Sequence, residues 1–150
     1  MAKYQARGDQ TITTTDATAL TVGSNASTAQ RNKIYEYILS VGTPSDSAIL
    51  FNVQRVSALG TATAKTPGAI DAGERAAQAA VGSNHTVEPT LIANSEVLED
   101  MPLNARAVFR WVAPPDGGLV HPATVGAGFA FQARHASVTP DFYVNAFWDE

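Results

Sequence analysis

The chain has 150 residues, a length that fits one domain able to bury roughly two-thirds of its unfolded surface without disulfides or metals. Its 45% hydrophobic content removes the disordered class, its net charge of -4 argues against nucleic-acid binding through a basic stripe, and the lack of cysteine removes both a disulfide framework and a thiolate metal site. Only 16% of residues are charged, with alanine and threonine standing where lysine and glutamate usually do, a surface suited to meeting other protein.

The first residues, Met1 to Asp9, lack the apolar stretch of a signal peptide, and no segment approaches the length of a membrane span, so the expected site of synthesis is a cytoplasm. Thr11 to Thr15 and Thr18 to Val22 are rich in β-branched residues with little bulk to bury. Residues 1–30 therefore read as an extended N-terminal arm or edge strand, and 31–150 as a single β-sandwich domain. From Arg31 to Val41, Tyr35, Tyr37, Leu39 and Val41 alternate with Ile34, Glu36, Ile38 and Ser40, which favours a strand, with a short helix as the alternative. Gly42 to Ser47, with Pro44 inside it, closes that segment as a turn.

Ile49, Phe51 and Val53 share one face of the next strand, and the phase slips at Val56 as a bulge requires. Thr61 to Lys65 alternates small against polar residues, the pattern of a sheet edge or an interface. Residues 71–81, with Asp71 placed to cap and alanine, glutamate, arginine and glutamine following, predict one short helix. Beyond it, Ala105, Ala107, Phe109 and Trp111 form a bulky face. Ala127 to His135 reads as a half-polar strand, and Phe142 to Trp148 is apolar on both parities, hence covered on both sides. Pro114 to Gly118 and His121 to Gly126 are the intervening loops. About eight strands in all match an all-β, antiparallel β-sandwich, jelly-roll-like, with one short helix.

Chemistry-bearing residues do not converge in the sequence. His85 and His121 fall in loops and His135 at a strand end, without the close spacing of metal motifs. A three-histidine site assembled by folding, as in a cupin-like metal enzyme, is the least favoured reading. Glu96, Glu99 and Asp100 read as a charged turn or strand edge, and Asp149 and Glu150 as a solvated pair. Nucleophile elbows and phosphate loops are missing from the sequence, so no catalytic residue, cofactor or metal is assigned. Trp111, Phe147 and Trp148 could stack on a sugar, but core or subunit contact is the simpler reading.

Several stretches resemble a small family of head proteins of tailed bacteriophages. They are Gly42 to Asp46, Asn52 to Arg55 with Gly60 to Thr63 and Thr66-Pro67, Asn84 to Thr90, Pro102 to Arg106 with Phe109 to Val112, and Gly117 to Ala123. The resemblance covers residues 30–150 and implies a virion β-sandwich that decorates or cements a capsid, typically as a homotrimer, with the major capsid protein and its own copies as partners. The expected function is thus that of a capsid decoration or cement protein on the outer surface of a phage head, made in the host cytoplasm, with neither nucleic acid nor membrane as partner. The alternative is a receptor- or glycan-binding β module of a fibre or tail. On the arm and terminal-strand readings, the expected interface residues are Thr11, Ile12, Leu20, Val22, Trp111, Phe142, Phe147 and Trp148.

Overall fold

Period-two alternation sorts the chain into thirteen strands, and no helix occurs among the described residues, 1–43, 46–92 and 97–150 of a computed structural model. One antiparallel sheet holds β1 (Lys3–Thr11), β3 (Lys33–Val41), β6 (Gly68–Ala69), β10 (Phe109–Val112), β11 (Leu119–Val120) and β13 (Asp141–Asp149). The other holds β2 (Ala17–Gly23), β4 (Ala48–Ala58), β5 (Thr61–Ala64), β7 (Ala80–Val87), β8 (Thr90–Leu91), β9 (Val97–Asn104) and β12 (Gly128–Arg134). In the first sheet the order is β10-β3-β13-β1-β6, with β11 also on β3; in the second it is β5-β7-β2-β12-β4, with β8 and β9 both paired to β4. The two sheets pack face to face as a sandwich.

The core lies between them. Tyr4 and Ala6 of β1, Tyr37 and Leu39 of β3, and Phe142, Val144, Ala146 and Trp148 of β13 point inward from the first sheet. Leu20 and Val22 of β2, Ile49, Phe51 and Val53 of β4, and Phe129 and Phe131 of β12 meet them from the second. Phe51 and Phe142 meet edge to face at 5.3 Å, as do Tyr37 and Phe131, an arrangement that places the positive ring edge on the negative ring face.

Two expectations are corrected. Residues 1–30, expected as an extended arm or edge strand, are no free arm: β1 pairs with β13 along its whole length and with β6 only at Tyr4 and Gln5, close to an edge position, while every residue of β2 is buried between β7 and β12. The small residues that made this segment look unable to fill a core are what let its strands approach closely. A Cβ on Gly8 would lie 2.1 Å from the carbonyl oxygen of Ala19, so β1 and β2 touch backbone to backbone there.

The helix predicted over 71–81 is a single turn, in which Glu74 N–H donates to the Asp71 carbonyl and Gly73 N–H to the Asp71 side chain; its last two positions belong to β7. Isolated helical segments this short do not offset their nucleation cost, and this one is largely exposed, with no apolar stripe to dock. Its backbone finds other partners. The Arg75 carbonyl accepts from the Tyr4 hydroxyl at 2.9 Å, the Gln78 carbonyl accepts from Asn25 Nδ2, and the N–H groups of Gln78 and Ala79 donate to the Glu150 carboxylate at 2.8 and 2.9 Å. The turn expected at Gly42 to Ser47 lies partly outside the described residues, at positions 44 and 45.

Candidate functional surfaces

The eight expected interface residues divide. Ile12, Leu20, Val22, Phe142 and Trp148 are fully buried in the chain's own core and are not available to a partner. Trp148 lies 6.2 Å from the Tyr4 ring, and its indole N–H donates to Glu150, so the strand at the chain end is covered by its own sandwich. Trp111 stacks on Tyr37 at 5.2 Å at the edge of the first sheet and is half-buried. Thr11 is exposed and donates to the Asp141 carboxylate, while Phe147 sits half-buried on the outer face of the first sheet.

That outer face carries an aromatic group the sequence reading named only in part. Phe147 lies 6.4 Å from Tyr35, with Lys3 Nζ 5.0 Å from the Tyr35 ring centre and the Arg7 guanidinium 5.0 Å from that of Tyr143. Arg110 donates to Glu36 at 2.7 Å on the same face, a contact that raises its pKa. Tyr35 is brought outward by the irregular register of β3 on β13, in which Phe147 faces Glu36 and Trp148 faces Ile34.

The second sheet differs on its outer side. There, Thr18 and Thr21 of β2, Asn52 and Gln54 of β4, His85 of β7 and Gln132 of β12 are all buried. A ribbon covers them: residues 57–61 and 87–91 run antiparallel, with Ala58 opposite Thr90 and Thr61 opposite Val87. Gly60 makes the turn possible, with φ of 75° and its Cα so close to the Val87 carbonyl that a Cβ would collide. From the ribbon Glu88 reaches down, accepting from Thr18 N at 3.4 Å, Gln132 Nε2 at 3.3 Å and the Thr18 hydroxyl. Gln132 in turn accepts from Gln54, Gln54 donates to Asn52, and Asn52 donates to Asp16 at 3.3 Å. The result is a continuous polar layer under a strap. Asn52, Gln54 and Gln132 were legible as the polar face of their strands; nothing local showed that the face would be roofed.

The histidines stay apart. His85 uses Nδ1 on the Thr18 carbonyl at 3.0 Å and Nε2 on the Thr21 hydroxyl at 3.3 Å. It reaches this layer because Asn84, at φ of 54°, takes a left-handed conformation where the register of β5 on β7 slips. His121, fully buried against Phe129, accepts from Asn32 N and points Nδ1 at the Pro122 carbonyl. Burial lowers the pKa of both rings. His135 accepts with Nδ1 from Ser137 N and Val138 N. No cluster of three or more metal-ligating residues occurs among the described residues.

Of the carboxylates, Glu99 accepts from the Tyr37 hydroxyl, which with burial pushes the Tyr37 pKa up. Glu96 lies outside the described residues. The pair expected to be solvated at the chain end is corrected: Glu150 anchors three N–H groups, those of Gln78, Ala79 and the Trp148 indole.

One side of the sandwich has an open strand edge in each sheet. Among the described residues β8 and β9 pair only with β4, and β10 only with β3, and the bond from Tyr37 of β3 to Glu99 of β9 joins the two sheets on this side. Large apolar side chains stand free along it: Leu91 is 46% exposed, Val97 50%, Val108 69% and Val112 54%. Pro102 and Asp100 lie within β9, and a proline and a charge on an edge strand discourage indiscriminate pairing. The chain matches no known family model, and comparisons with curated proteins and with solved structures likewise find no match.

Proposed function

We propose that this chain is a virion structural protein, a decoration or cement protein that binds the outer surface of a tailed-phage head as a homotrimer and stabilises it. The observation that carries the reading is the open edge side, where strands paired on one side and exposed Leu91, Val97, Val108 and Val112 offer apolar area and backbone hydrogen-bonding groups to a neighbouring subunit. The resemblance in residues 30–150 and the low charge of the chain point the same way. Several weak contacts made together by a rigid trimer give high avidity for a repeating shell, and binding only the assembled form stabilises it by mass action.

The same reading takes the sandwich as jelly-roll-like. Its support is the strand order: β1-β13-β3-β10 in one sheet and β2-β12-β4-β9 in the other interleave the two ends of the chain with its middle, as two Greek keys do. On this wiring β5 to β8 are an excursion between β4 and β9.

The experiment is sedimentation of purified protein with isolated heads, with light scattering on the free protein. Co-sedimentation in hundreds of copies per head, together with a mass three times the 15.8 kDa of the chain, is expected. A free monomer that leaves the heads unbound overturns the reading. The alternative, a receptor- or glycan-binding module of a fibre or tail, loses Trp148 to the core and has Trp111 stacked on Tyr37; it would use Tyr35, Tyr143 and Phe147 instead. Saturable binding of an oligosaccharide that is abolished by Tyr35→Ala favours it.

A further inference from the structure

At the end of the second sheet, where the polar layer emerges from under its strap, the surface opens into a cleft of about 300 Å³ lined by Thr14, Ala48, Leu50, Arg134, His135 and Ala136. That volume is at the lower end of small-ligand sites. Ala48, Leu50 and Ala136 make aliphatic walls. The remaining three residues carry N–H or O–H donors without a hydrogen-bond partner among the described residues.

Arg134 forms an ion pair with Asp16 at 3.6 Å, longer than a hydrogen bond, and its side chain is 47% exposed, so its guanidinium N–H groups remain open to a second carboxylate. His135 accepts two backbone N–H groups with Nδ1, which places the ring proton of the neutral imidazole on Nε2, where it has no partner among the described residues. The Thr14 hydroxyl is likewise unengaged, although its neighbours Thr13 and Thr15 bond to each other. Asp16 itself is turned toward the layer by its bond from Asn52.

We propose that this cleft is a binding site for a carboxylate carried on a short aliphatic chain. Arg134 supplies the charge and a planar pair of N–H groups matched to two carboxylate oxygens, His135 and Thr14 supply further donors, and the aliphatic walls receive the tail. The site does not depend on the decoration reading. A free small acid and the carboxyl terminus of a polypeptide share this chemistry.

The test is a titration of the intact protein with sodium isovalerate, followed by backbone amide NMR. Saturable shifts are expected at Thr14, Arg134 and His135, with a dissociation constant in the range of roughly 1–10 mM. Arg134→Gln should weaken binding at least about tenfold. Ala136→Leu, which fills the cleft while leaving every donor in place, should abolish it, so that loss of the guanidinium and loss of space are read separately. Both variants are checked for an unchanged amide spectrum away from the cleft.

Isoamyl alcohol, with the same tail and no charge, should not shift these residues, and inorganic phosphate should bind no better than a tenth as well as isovalerate. A short peptide ending in leucine is compared with its amide. Tighter binding of the free acid than of isovalerate identifies a polypeptide carboxyl terminus as the natural source, and equal binding identifies a small acid. Absence of saturable shifts, undiminished binding by Arg134→Gln, or equal binding of the alcohol or of phosphate overturns the proposal.

Discussion

At the scale of single residues, the two buried histidines couple stability to pH. In the unfolded chain each imidazole titrates near the ordinary histidine value of about 6.5. In the folded chain burial holds both below it. As pH falls below about 6.5 the unfolded state binds protons that the folded state cannot, so the stability present at neutral pH is progressively lost. Thermal unfolding between pH 8 and pH 5 should therefore show a constant midpoint above pH 7 and a decline beginning near 6.5; a midpoint flat to pH 5 would contradict this. The hydrogen bonds also assign tautomers. His85 and His121 donate from Nδ1 to carbonyl oxygens, whereas His135 accepts there, so nitrogen-15 NMR at pH 8 should show two rings protonated on Nδ1 and one on Nε2.

The glycines give a second prediction at this scale. A methyl group on Gly8 would strike the Ala19 backbone, which cannot swing away as a side chain could, so Gly8→Ala should cost about 3 kcal/mol in urea unfolding or prevent folding altogether. Gly73 sits in the exposed turn with only the Asp71 carboxylate near its absent side chain. Gly73→Ala should fall within about 0.5 kcal/mol of wild type, which separates the steric effect from the chemistry of the replacement.

At the scale of elements, the strap is the unusual part of the molecule. A sheet face of threonine, asparagine and glutamine would ordinarily be left to water; here a ribbon from the two sides of the sheet closes over it. The arrangement holds because the donors and acceptors of the layer are passed from one side chain to the next, from Glu88 through Gln132 and Gln54 to Asn52 and Asp16. Glu88→Ala removes the acceptor at one end of this chain and leaves Thr18 and Gln132 with fewer partners. It should cost about 2 kcal/mol and raise hydrogen exchange in residues 87–91 more than in β13. Equal exchange in both segments would show that the strap is not held by this carboxylate.

The sequence-predicted strands at 31–41, 127–135 and 142–148 correspond to β3, β12 and β13, because bulky alternation needs no knowledge of a partner. The helix at 71–81 failed because propensity is a weak force against hydrogen bonds offered from elsewhere, here by Tyr4, Asn25 and Glu150.

For the whole molecule, the asymmetry of the sandwich matters most. One side is closed, with β6, the 70–79 segment and Glu150 tying the sheets together. The opposite side is the open edge of β8, β9 and β10. If copies associate there as the proposed trimer, Val97→Lys with Val112→Lys should leave only monomer, since two charges on an apolar edge oppose pairing, and should leave the unfolding free energy within about 1 kcal/mol of wild type. A trimer that survives the pair of changes places the contact elsewhere, the aromatic outer face around Tyr35 and Phe147 being the other broad surface. Five of the expected contact residues, Ile12, Leu20, Val22, Phe142 and Trp148, lie in the core instead, because β1 and β2 come back to cover the strands at the other end of the chain, a pairing that no local pattern displays.

What the sequence alone determined was the all-β class and the inward face of most long strands, because period-two alternation of bulky and polar side chains is local information. Only the tertiary structure decided which small-residue segments are interior and which polar ones are roofed. β2 is buried by its neighbours and by the close approach that Gly8 permits, and Gln54 and Gln132 are buried by a ribbon contributed from residues 57–61 and 87–91. Burial of that kind is set by what the rest of the chain places on top of a residue, and no pattern within its own strand carries it.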